Sequence, residues 1–139
     1  MIALLDTSVV LRKLFGEPDS LAEWSQVRSA FASRILLVEL GRVIDRCRLA
    51  GDIDDSQVEQ LQQEARRVLR SVEVLALSER ILTRAAGAMP TVLGSLDAVH
   101  LATALELAPA VGGGLVLATH DRQLARAARA SGLETCGAS

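Results

Sequence analysis

The chain of 139 residues has no Tyr, one Trp and two Phe, so aromatic rings supply almost none of its apolar volume. Half of its residues are nonetheless hydrophobic, so the core has to be aliphatic, built from Leu, Val, Ile and Ala. The shortage of rings argues against an aromatic stacking platform for single-stranded nucleic acid. Lysine is nearly absent: Lys13 stands alone beside 14 Arg, so almost every basic site carries a planar guanidinium. The formal net charge of −2 provides no global field to draw the protein to polyanions. There are two cysteines, Cys47 and Cys136, and they lack metal-ligand spacing. Cys47 falls in a helical pattern and reads as a small buried hydrophobe, which suits a reduced, cytoplasmic setting. No apolar run reaches 18 residues and no segment has signal-peptide layout, so neither a membrane span nor a leader is expected. Phosphate-cradling glycine motifs are missing too, because the run Gly112 to Gly114 precedes its apolar stretch rather than following one.

What the chain does have is a series of short apolar runs separated by helical patterns. "IALL" and "LVLAT" read as buried strands, "SVEVLAL" as an alternating one, and "SAFAS" and "ETC" as shorter ones. Between them, helical spacing predicts elements over 8–15, 20–28, 34–49, 55–70, 79–88, 95–108 and 122–131. Asp54, Ser78 and Ser95 are the expected N-caps, and Gly51 and Gly132 the expected stops. Strands alternating with helices predict an α/β fold: one domain over 1–139, with a parallel central sheet flanked by helices on both faces.

In such sheets ligands bind beyond the carboxyl ends of the strands. Two of the strands end there on acids. "IALL" stops at Asp6, followed by Thr7 and Ser8, and "LVLA" stops at Thr119, His120 and Asp121. Two further acids, Glu39 in "RILLVELGRVI" and Asp97 in "LGSLDAVHLATALELA", interrupt nearly apolar helices. A buried, unpaired carboxylate costs roughly several kcal/mol, and a divalent cation would offset that cost. Hard ions such as Mg²⁺ and Mn²⁺ favour carboxylate and water ligands. Each acid also has a plainer reading. Asp6 and Asp121 could cap the helices that follow them, and Asp97 could favour the positive end of its helix. Glu39 could pair with Arg42. Ser8 and Thr119 could orient the carboxylates or serve as turn hydrogen bonders. His100 shares a helix face with Asp97 and reads first as a satisfied core residue, and His120 is ambiguous.

Four stretches together carry a resemblance: "LLDTSVV", "VELGRV", "LDAVHLATAL" and "LATHDRQLARAARASGL". In order and spacing the chain resembles a PIN domain, and specifically the VapC group of bacterial toxin ribonucleases. Residues Asp52 to Leu93 contribute little to the likeness. The resemblance implies a metal-dependent endoribonuclease. Asp6, Glu39, Asp97 and Asp121 would hold Mg²⁺ or Mn²⁺, with Ser8 and Thr119 in support. It also implies a cognate antitoxin partner and a homodimer. RNA contacts are expected from Arg42 and Arg46 on the Glu39 helix, and from Arg122 and Arg126 on the helix after Asp121. Two other classes stay open on the residues alone. A silent PIN-like binding module would use the acids only for docking. A haloacid-dehalogenase-like phosphohydrolase would need a "DxD" where this chain has Ser8, and a catalytic Lys other than Lys13.

Overall fold

A computed structural model describes residues 1–138. Five strands occur in the order β1 (Ile2–Leu5), β2 (Ser29–Ser33), β3 (Val72–Leu75), β4 (Leu115–Ala118) and β5 (Glu134–Cys136). Six helices separate them: α1 (Thr7–Leu14), α2 (Ile35–Leu49), α3 (Asp55–Leu69), α4 (Glu79–Ala86), α5 (Ser95–Ala110) and α6 (Arg122–Ala130). All strand pairs are parallel, in the spatial order β3-β2-β1-β4-β5. The expected α/β sandwich is therefore the observed one.

Strand alternation divides the core in two. From β1, Ala3 and Leu5 face Val9, Val10, Leu36, Leu40 and Val68 of α1, α2 and α3. Leu4 faces the other way, onto Leu101, Leu117, Leu124 and Ala128, which lie in α5, β4 and α6. Leu36 and Leu101 are fully buried, and truncating either to Ala would cost about 2–5 kcal/mol. Small Ala residues at 125, 127 and 128 are fully buried as well and let α6 sit close to the sheet.

Chain order reverses between β1 and β4: successive strands build outward from β1 through β2 to β3, whereas β4 returns to the other side of β1. The crevice beyond the carboxyl ends of β1 and β4 is thus the switch point of the sheet. Their register pairs Leu5 with Ala118, so Asp6 and Thr119 leave the sheet side by side.

Local chemistry explains most helix starts. Asp54 forms a full capping box with Gln57, and Ser78 caps α4 through the Ile81 amide. Three expectations are corrected. Residues 20–28 form only a 3-10 turn at Ala22–Gln26, too short and polar to bury a face. Gly94, not Ser95, is the N-cap of α5: its backbone is extended and its carbonyl accepts the Ala98 amide at 3.0 Å. Cys47 is half-buried, because the inward stripe of α2 runs through Leu36, Leu40 and Ile44 and leaves the core before Cys47. Among the described residues no helix is long and apolar enough to cross a membrane.

Candidate active site

Asp6 follows β1 at the switch point and is 4% exposed. Its amide donates to the Ala118 carbonyl at 2.9 Å, which anchors the backbone to β4. Its Oδ2 accepts from Ser8 Oγ at 2.6 Å and from Thr119 Oγ1 at 2.8 Å. Asp6 stands at the N-cap position of α1 but makes no side-chain cap hydrogen bond, so helix capping does not account for it.

Thr119 and Ser8 knit the two strand ends together. Thr119 Oγ1 also accepts the Asp121 amide at 3.0 Å, and Ser8 Oγ accepts the His120 amide at 3.0 Å. The next strand clamps the same loop: Thr119 donates its amide to the Cys136 carbonyl, and His120 Nδ1 lies 3.0 Å from the Gly137 carbonyl oxygen. Gly137 has φ of +93°, and a Cβ there would come within 2.7 Å of the Thr119 carbonyl oxygen. Glycine is required at this approach for both reasons.

Asp121 does cap α6, its Oδ1 accepting the Gln123 and Leu124 amides at 2.7 and 3.0 Å. That bond occupies one carboxylate oxygen and fixes the group at the crevice. Glu39 comes from the middle of α2. Its Oε1 accepts from Thr7 Oγ1 at 2.9 Å and lies 2.5 Å from His100 Nε2. The plainer alternative, a pair with Arg42, is not made, because Arg42 turns to Asp45, which Arg48 also grips. Asp97 occupies the first turn of α5, partly buried, with no side-chain hydrogen bond among the described residues.

The electrostatics show that these acids share one field. The Asp97 pKa is raised to about 6, first by burial and then by the charges of Asp121, Asp6 and Glu39, with His100 partly offsetting them. Burial opposes ionisation of Glu39, but the hydrogen bonds from His100 and Thr7 and the charge of His100 outweigh it and lower its pKa. Burial likewise disfavours a charged His100, yet the Glu39 hydrogen bond and the nearby acids raise its pKa. No three His, Cys, Asp or Glu side chains among the described residues close into a finished ligand set. The arrangement is an open acidic cup, and Asp97 senses three charges across it without touching them.

The sequence singles out these four acids, assigns no role to Thr7, and favours a core role for His100 over ligation or general-base work. The hint for Thr7 was its place beside Asp6 in "LLDTS". Of the basic candidates, Arg42 is exposed and ion-paired, and Arg46, Arg122 and Arg126 are exposed. Arg122 borders an open cleft of about 530 Å³ next to the cup, shared with Arg12, Asp19, Glu23 and His120.

A parallel 3-2-1-4-5 sheet with acids at its switch point is the arrangement that comparison with known proteins then places. The PIN domain family model matches residues 3–130. Two curated relatives, both from Mycobacterium tuberculosis, are ribonuclease VapC46 and ribonuclease VapC47. VapC46 is 30% identical over 132 residues, covering 93% of this chain and 92% of its own. VapC47 is 30% identical over 138 residues, covering 94% and 93%. Among solved structures, VapBC2 from Rickettsia felis, bound to a promoter DNA fragment, matches with a TM-score of 0.66 at 17% identity over 97% of both chains. VapBC-1 from nontypeable Haemophilus influenzae matches with a TM-score of 0.62 at 22% identity, over 97% of this chain and 96% of its own. The chain belongs to the PIN domain family and, within it, to the VapC ribonucleases.

Proposed function

We propose that this chain is a metal-dependent endoribonuclease, a single-domain toxin acting in the cytoplasm and held inactive by a cognate antitoxin. Its family makes it a nuclease-type hydrolase. The observation that carries the metal is the acidic cup itself: Asp97, with no side-chain hydrogen-bond partner among the described residues, carries a pKa raised to about 6 by burial and by three other acids.

The donor set fits a hard divalent cation. All four groups are carboxylates, and an open cup suits Mg²⁺, which keeps several waters and takes only one or two carboxylates directly. Asp6, Glu39, Asp97 and Asp121 would hold the ion. When bound, Mg²⁺ or Mn²⁺ supplies Lewis-acid activation of water and charge neutralisation at the phosphodiester. The chain's own part is to hold the carboxylates still. Ser8 and Thr119 orient Asp6, Thr7 and His100 orient Glu39, and the α6 amides hold one oxygen of Asp121.

RNA would be held by Arg122 and Arg126 beside the cup, with Arg42 and Arg46 contributing from α2. A few local guanidiniums suit a chain with net charge of −2 better than a general positive field. The antitoxin reading draws support from structural neighbours that are toxin–antitoxin complexes, among them one from Klebsiella pneumoniae. A free carboxylate cup offers such a partner a bidentate seat for an Arg side chain. A homodimer belongs to the same proposal.

The test is direct. Purified protein is incubated with structured RNAs in EDTA, Mg²⁺ or Mn²⁺, and cuts are mapped. Internal cleavage only with metal is the expected result. Equal cleavage in EDTA overturns the metal requirement, and no cleavage in any condition overturns the ribonuclease reading in favour of a silent binding module.

A further inference from the structure

We infer that His100 is a positioning residue, whose Nε2–H fixes the Glu39 carboxylate opposite Asp6. The side chain is fully buried. Its Nε2 lies 2.5 Å from Glu39 Oε1, 3.3 Å from Thr7 Oγ1 and 3.5 Å from Asp6 Oδ1. A nitrogen lone pair that close to a carboxylate oxygen would repel it, so the proton sits on Nε2 and the ring donates. The other ring nitrogen, Nδ1, is buried with no hydrogen-bond partner among the described residues.

That lopsided arrangement argues against a role in packing. A histidine kept for the core would have both nitrogens satisfied, and a Leu would fill a similar space without an orphaned ring nitrogen. The stability lost at Nδ1 is offset by the place of Nε2, between Asp6 just after β1 and Glu39 of α2. The ring is delivered there by α5, three residues after Asp97. One helix thus supplies both a free acid and the donor that restrains another. With Oε1 held by His100 and Thr7, the second oxygen of Glu39 is left for a cation. Groups of this kind, one bond removed from a ligand, set its orientation and basicity.

This inference rests on the reading of Glu39 as a metal ligand, and the experiment separates the two. Mn²⁺ binding is measured by calorimetry, without RNA, for the parent, His100→Leu, His100→Gln, Glu39→Gln and the double variant His100→Leu/Glu39→Gln. Near-UV circular dichroism checks that each is folded. His100→Leu is expected to weaken Mn²⁺ binding by about 10-fold or more. His100→Gln keeps an N–H donor at similar reach and should recover most of the affinity. The double variant should bind no worse than Glu39→Gln alone, because His100 acts through Glu39. Parent-like binding by His100→Leu, with Glu39→Gln weak, overturns this inference alone, as does His100→Gln binding no better than His100→Leu. Parent-like binding by Glu39→Gln overturns the ligand reading and this inference with it. If His100→Leu does not fold, His100→Gln decides: near-parent affinity supports the donor role and a 10-fold loss overturns it.

Discussion

Two groups of acids in this molecule have opposite neighbours. On the outer helical surface Asp45 is gripped by Arg42 and Arg48, and Glu106 by Arg80 and Arg84. Those hydrogen bonds lower the pKa of both acids. In the crevice, Asp6, Glu39, Asp97 and Asp121 have no Arg or Lys ion pair among the described residues, although the chain carries 14 Arg. Their contacts are hydroxyls, amides and one histidine. A guanidinium in the crevice would satisfy the carboxylates and close the cup. Its absence leaves the negative charge available to something that arrives from outside.

Neutralising one acid of each kind should give the largest difference. Asp6→Asn or Asp97→Asn should reduce RNA cleavage by at least about 100-fold, since loss of a group merely supporting a metal ligand already costs about 10–100-fold. Glu106→Gln should leave cleavage within about 2-fold, the order expected for a surface substitution far from the chemistry. Single-turnover cleavage of one RNA compares all three, and equal losses would erase the distinction.

Metal should separate the groups next. With metal at about 100 times its Kd, the parent fold should gain about 2.7 kcal/mol by mass action. Asp97→Asn should lose much of that gain, whereas Glu106→Gln should keep it. Melting curves with EDTA and with excess Mg²⁺ or Mn²⁺ read the difference.

A smaller effect appears without metal. Asp97 has a folded pKa of about 6 against an ordinary 3.8, so the folded state holds its proton more tightly than the unfolded chain does. The resulting penalty is absent below pH 3.8, develops as pH rises, and is complete above about pH 6. Asp97→Asn should therefore stabilise the metal-free protein near neutral pH. Because the group is partly exposed and screened, about 1 kcal/mol is expected. The gain should vanish at pH 3.5 in denaturant titrations. An Asn that destabilises at pH 7 would return Asp97 to the role of a helix-start charge.

The outer acids should give the smallest response, of the opposite sign. Asp45→Asn and Glu106→Gln should each lower the melting temperature slightly in low salt. The difference should disappear at about 1 M salt, where the screening length falls to about 3 Å.

Much of the architecture was legible because its signals are local. The apolar runs marked β1 and β4, and the capping residues Asp54 and Ser78 marked α3 and α4. The weaker predictions failed where local signals were short. The 20–28 segment has too few apolar positions to hold a helix, and Gly94 displaced Ser95 as a cap because either residue tolerates an extended backbone. The acids at 6, 39, 97 and 121 stood out as charges set in apolar stretches.

Their partners could not be read the same way. Residue spacing along a chain reports period and polarity, which decide which faces are buried, and these are properties of a few consecutive residues. From the sequence alone came the aliphatic α/β sandwich and the two strands that end on acids. Contact across the sheet is another matter. That Asp6 meets Thr119 across 113 positions, and that His100 reaches Glu39 across 61, follows from β4 lying beside β1 at the middle of the sheet and α5 packing over them. Only the packed topology decides such pairings, because the energy that selects them comes from burying whole faces and not from the pairs themselves.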